Sequence, residues 1–177
     1  WELPFGRGHR LGGGMPRWAD LIAGGWNLNG IASLYSGLPF SPSSAINTLN
    51  GSGSQRPDRI ANGNLAVEQR SLQRWFDIAA FKTPGEFKLG NAGVNILEGP
   101  GTAQFDMGLA KSFAFSADSR RRLEFRSEFF NLFNSPQFNN PASAIGNPQA
   151  GVISSAGSKA TFQRTSRQIQ FALKFYF

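Results

Sequence analysis

The residues with the most capacity for chemistry form one short run, Arg122, Glu124, Arg126 and Glu128. Two carboxylates this close together can serve as a general acid and base pair. Alternate positions of an extended segment share one face, however, so these two glutamates stand interleaved with two arginines. Opposite charges spaced in this way read as a lumen-facing ion-pair network that keeps ionised groups in a polar interior without chemistry. His9, between Gly8 and Arg10, is the only histidine, and the chain has no cysteine. Thiolate nucleophiles, disulfides, Cys-ligated metals and His clusters are therefore excluded. Gly12, Gly13 and Gly14 lack the strand-to-helix setting of a phosphate cradle, and no Gly-x-Ser-x-Gly elbow occurs. Asn50, Gly51 and Ser52 match a glycosylation acceptor that matters only in a eukaryotic secretory pathway. The expectation is a protein with no enzyme activity, no cofactor and no metal.

A second cluster, Arg74, Trp75, Phe76, Asp77 and Phe81, combines aromatic rings with a pair of opposite charges. On an external loop such rings stack on sugars or siderophores, which makes these five the candidate ligand contacts. The competing reading is that they pack the loop onto itself. The run Arg120, Arg121 and Arg122, in a chain of pI ≈ 10.6, raises nucleic-acid binding. That reading is disfavoured because the aromatics alternate onto a face of their own instead of interleaving with the basic residues. Arginines beside aromatic strand ends instead snorkel toward lipid headgroups or stay solvated.

Strands must position these residues. The 177 residues carry 18 Lys and Arg against 11 Asp and Glu, and 17 Phe. Charged residues make up 16%, well below the roughly 25% of an average soluble domain. No apolar run approaches the ~18 residues of a transmembrane helix. Period-2 alternation is the strongest signal. Within residues 166–177, Ile169, Phe171, Leu173, Phe175 and Phe177 alternate with Gln168, Gln170, Ala172, Lys174 and Tyr176. Residues 103–115 repeat the pattern, as do 122–134, where Leu123, Phe125 and Phe129 back the charged ladder, and 25–37, where Asn27 and Asn29 oppose Trp26 and Leu28. Residues 1–4 read as the end of a fifth strand.

The connections are unequal. Residues 116–121 read as a tight hairpin. Residues 39–101 and 135–163 are long polar loops, the first with one short helix expected at 71–76 and capped by Ser71. Long and short connections in alternation are the topology of strands crossing an outer membrane up and down. The expected fold is all-β: an antiparallel up-and-down transmembrane β-barrel segment of four to five strands, incomplete because closure needs at least ~8. Two sheet edges are expected to stay free. Odd parity places Lys111 on the lipid face, where it either snorkels or is turned inward by a β-bulge near Ala110.

A terminal Phe preceded by apolar residues at every second position resembles the signal read by the barrel-assembly machinery. Here those residues are Ile169, Phe171, Leu173, Phe175 and Phe177. The stretches Gly24-Gly25-Trp26-Asn27-Leu28-Asn29-Gly30-Ile31, Ser36-Gly37-Leu38-Pro39-Phe40, Arg74-Trp75-Phe76-Asp77 with Ala80-Phe81, and Phe125-Arg126-Ser127-Glu128-Phe129-Phe130-Asn131-Leu132-Phe133-Asn134 resemble the C-terminal part of Oar-like TonB-dependent receptors. Those receptors carry an N-terminal extension similar to a carboxypeptidase regulatory domain. The resemblance implies a barrel of about two dozen strands, an N-terminal plug, energisation by the TonB complex and uptake of a large or scarce ligand. Plug, TonB-contacting segment and most strands are expected to lie before Trp1. The implied partners are outer-membrane lipid, the assembly machinery, TonB and a transported ligand, with no nucleic acid. A second reading is a secreted or surface adhesive β protein whose Phe-rich faces are buried in an oligomer.

Overall fold

A computed structural model describes residues 1–115, 121–157 and 165–177. Four strands form one antiparallel sheet in sequence order: β1 (Trp26–Tyr35), β2 (Thr102–Ala114), β3 (Arg122–Phe130) and β4 (Gln168–Tyr176). The sheet is not closed. Among the described residues no helix is long and apolar enough to cross a membrane. The expected tight connection at 116–121, apart from Arg121, and the end of the second long loop lie outside the described residues.

The chain divides into two compact units, one built on the strands and one on the two long connections, Leu34–Thr102 and Pro136–Gln163. In the strand unit β2 and β3 pair without interruption from Met107 opposite Phe129 to Ala114 opposite Arg122. β4 continues the same register from Gln168 opposite Phe130 to Tyr176 opposite Arg122. No bulge interrupts Ala110, so Lys111 keeps the odd face, level with Phe125 and Leu173. β3 stops at Phe130, short of the expected 134. Asn131 turns left-handed (φ 53), and its side chain closes a turn by donating to Ser135 O (2.9 Å) and accepting from Ser135 N (3.0 Å). Asn is among the few residues that accept this conformation at low cost. The start of the chain adds to the open edge of β1, with Leu3 N donating to Trp26 O and Leu28 N to Trp1 O, both 2.8 Å.

One element has no counterpart among the expectations, the helix α1 (Arg17–Ala23). Pro16 precedes it and Gly24 ends it, Gly24 N donating to Asp20 O at 2.8 Å. Asp20 also accepts from Arg7 N (2.7 Å), which ties the preceding Gly-rich segment to the helix.

The long connections fold around a core of their own, against the expectation of structureless loops. Phe40, Phe76, Ala80, Phe81, Ala92, Leu97 and Ile145 are buried together. The Phe76 ring meets Phe40 and Phe81 edge-on at 5.9 and 6.1 Å. Two-residue ladders tie the unit: Pro39–Phe40 pairs with Leu97–Glu98, and Ser43–Ser44 runs parallel to Ala144–Ile145. The ladders are too short to show period-2 alternation. Gln55, buried, spans the first connection by donating to Lys88 O (2.8 Å) and accepting from Thr48 N (2.8 Å).

The helix expected at 71–76 is absent. Ser71 and Arg74 instead exchange backbone hydrogen bonds, and the Ser71 hydroxyl accepts from Arg74 N (3.1 Å). A serine side chain that closes a turn on itself competes with helix formation. Two short 3-10 turns flank the site, Val67–Gln69 and Ile78–Ala80, the second capped by Asp77, whose side chain accepts from Ala79 N.

Candidate functional site

The register separates the strand unit into two chemically distinct faces. One face carries the cross-strand rows Gly108, Glu128 and Gln170; Ala110, Arg126 and Ala172; Ser112, Glu124 and Lys174; Ala114, Arg122 and Tyr176. Asn27, Asn29, Ser112, Glu124, Arg126 and Glu128 line an open groove of about 260 Å³ on this side. Glu124 is the buried charge on this face, 8% exposed. Arg126 Nε donates to its Oε1, and Tyr176 Oη donates to its Oε2 at 3.3 Å. The Arg122 guanidinium lies 4.0 Å from the centre of the Tyr176 ring. The four charges expected to form a network thus share one face, but they form a pair with two attendants. Glu128 stands level with Gly108 and Gln170.

Replacing Arg126 by Ala leaves the Glu124 carboxylate buried without its cation. Fully buried pairs cost about 3 to 5 kcal/mol when one partner is lost. The Arg126 side chain is 41% exposed, so water screens much of that, and a modest loss, well below that of a fully buried pair, is expected. Denaturant unfolding of the lipid-embedded protein measures it. The double variant Arg126→Ala with Glu124→Gln should recover most of the loss, and equal losses in both would refute the pairing.

The opposite face carries Met107, Phe129 and Ile169; Leu109, Ser127 and Phe171; Lys111, Phe125 and Leu173; Phe113, Leu123 and Phe175. Ser127, which with Lys111 is polar on this face, donates to Leu109 O. Phe125 and Phe171 stack at 6.1 Å, and near the other end Phe115, Phe175 and Phe177 form a run of rings. Phe171, Leu173 and Phe175 on β4 are each more than half exposed. A broad uncovered apolar face backed by ionised groups suits strands with lipid on one side and water on the other. A family model described as an outer membrane beta barrel domain matches residues 1–170.

The chain belongs to that family. As an outer membrane beta barrel domain it resides in the cell outer membrane, where strands of such barrels turn an apolar face to lipid. Among curated proteins and among solved structures, none matches the chain.

The loop cluster divides. Phe76 and Phe81 are 1% and 4% exposed, so both are corrected from ligand contacts to core residues of the loop unit. Arg74 and Asp77 pair at 3.3 Å on the surface. Trp75 is half-buried, donates from its indole to Glu98 O (2.9 Å) and lies under the Arg70 guanidinium at 5.6 Å. Arg70 in turn pairs with Glu98 at 3.3 Å. Arg70 and Glu98 therefore belong to the same surface as Arg74, Trp75 and Asp77. No sequence pattern marked them, because Glu98 meets Arg70 from 28 residues away. Among the described residues no group of three or more His, Asp or Glu comes together as a metal site.

Proposed function

We propose that the chain forms part of the barrel of a TonB-dependent receptor that takes up a large or scarce ligand across the outer membrane. The observation that carries this reading is the loop unit. Long connections of bacterial barrels lie on the extracellular side, and these fold around Phe76 instead of hanging as tethers. A preformed surface loses less freedom when a ligand docks. The Arg70, Arg74, Trp75, Asp77 and Glu98 surface is the proposed contact, and the polar groove of the strand unit is the proposed lumen wall. Four strands fall short of the ~8 that closure requires, so the other strands, the plug and the TonB-contacting segment come from outside residues 1–177. Ile169, Phe171, Leu173, Phe175 and Phe177 form the pattern read by the assembly machinery.

The test is direct binding of the periplasmic domain of TonB to the full-length receptor in lipid nanodiscs. Saturable binding is expected. Absence of binding overturns the TonB assignment without touching membership in the outer-membrane family. If the cells also adhere to surfaces through this protein, the adhesive reading takes its place.

A further inference from the structure

We propose that α1 is an interfacial membrane anchor, bedded in the periplasmic leaflet beside the lipid-facing surface of the sheet. The proposal rests on outer-membrane membership and not on the transport reading. The amphipathicity of α1 is inverted for a helix packed on protein. Ala19, Asp20 and Ala23 are half-buried, whereas Trp18, Leu21 and Ile22, at i, i+3 and i+4, are each 60% exposed or more. An apolar stripe turned away from the protein, on a helix led in by arginines, is the pattern of helices lying in a membrane interface.

Two contacts fix where the stripe is held. Lys111 reaches from the lipid-facing side of β2 to the end of α1, where its ammonium donates to Ile22 O (3.3 Å) and to Gly24 O. Its side chain is buried, with the ammonium 5.2 Å from the Trp26 ring centre and 5.1 Å from that of Phe113. The Trp26 indole donates to Ile22 O at 2.8 Å. Lys111 therefore neither snorkels to water nor turns inward. It braces α1 against the apolar face, the side that strands of such barrels turn to lipid, so the stripe continues that apolar surface. The end of the sheet concerned is the one with the short β2–β3 connection, which is the periplasmic side in bacterial barrels.

Charge selects the occupant. The segment leading into and through α1 holds Arg7, Arg10 and Arg17, all exposed, against Asp20 alone. Asp20 is already engaged by Arg7 N. Exposed arginines around an apolar stripe match phospholipid, with phosphate for the guanidiniums and acyl chain for Trp18, Leu21 and Ile22.

The test uses the full-length receptor with single cysteines at Trp18→Cys, Ile22→Cys and, as a loop control, Ala79→Cys, since this chain has no native cysteine. Each is labelled with an environment-sensitive fluorophore and reconstituted in vesicles of phosphatidylcholine and phosphatidylglycerol, with or without bromines high on the acyl chains. Labels at 18 and 22 should be quenched several-fold more by the bromolipid than the label at 79, and less by aqueous iodide. Adding Lys111→Met should release the helix and reverse that order at 18 while the heat-modifiable barrel persists. Iodide reaching 18 and 22 as freely as 79 overturns the proposal. So does protection that grows with the protein-to-lipid ratio, which means a second copy covers the stripe.

Discussion

Replacing Phe76 by Ala is expected to cost the loop unit about 3 to 5 kcal/mol and to open the connections to protease added outside the cell. The side chain is 1% exposed and sits between Phe40 and Phe81. Its removal deletes two aromatic contacts together with the apolar transfer energy, and neighbours held by two-residue ladders cannot collapse into the space. A loss of that size is a large fraction of the stability of any single unit. Limited proteolysis of intact cells followed by mass spectrometry checks it, with heat modifiability reporting the barrel separately. Arg74→Ala is the control, because an exposed ion pair contributes about 0 to 1 kcal/mol. Unchanged protection in Phe76→Ala would show that the loops are held by something other than this core. If the Trp75 surface binds the transported ligand, the same variant should weaken binding without touching a single contact residue.

The strands and their faces were legible in the sequence because a period of two depends only on the types of neighbouring side chains. Ile169 to Phe177 declare an apolar face whatever covers it, and the register then carries that face onto Phe125 and Leu123. The end of β3 was less legible, since Leu132 and Phe133 extend the apolar run while the left-handed turn at Asn131 decides the boundary. The loop core was illegible for a different reason. Phe40, Phe76, Leu97 and Ile145 come from four separate places, brought together by pairings and by Gln55, and no periodic pattern links them. Lys111 shows the same limit most plainly: parity placed it correctly on the apolar face, but the carbonyls that satisfy it lie 87 and 89 residues away. For α1 the signal lies in the sequence but is faint. Pro16 and Gly24 bracket seven residues with Trp18, Leu21 and Ile22 at helical spacing, and a Gly-rich neighbourhood obscured them.

Deleting Phe177, or replacing Phe175 and Phe177 by Ser, is expected to lower the amount of assembled full-length barrel in the outer membrane several-fold. The pair Gln168→Ser and Gln170→Ser should leave it near wild type. Phe177 follows the last paired residue, Tyr176, and is 98% exposed, touching little beyond the Phe175 ring at 6.1 Å. Within the sheet it therefore contributes almost nothing, and transfer of one Phe into lipid contributes only about 1.5 to 3 kcal/mol. A large barrel that loses this much stays folded, so a severe defect would have to arise before folding, at the step where the proposed assembly signal is read. β4 suits such reading. Among the described residues it pairs with β3 alone, and Ile169, Phe171, Leu173 and Phe175 share its apolar face. Heat-modifiable barrel in purified outer membranes gives the amount assembled. Refolding the same variants from urea into vesicles without machinery gives the intrinsic stability. A defect in cells with near-normal refolding in vesicles locates the role of Phe177 in recognition. Equal defects in both would make it an ordinary lipid contact, and wild-type assembly in cells would remove the terminal aromatic from the signal altogether.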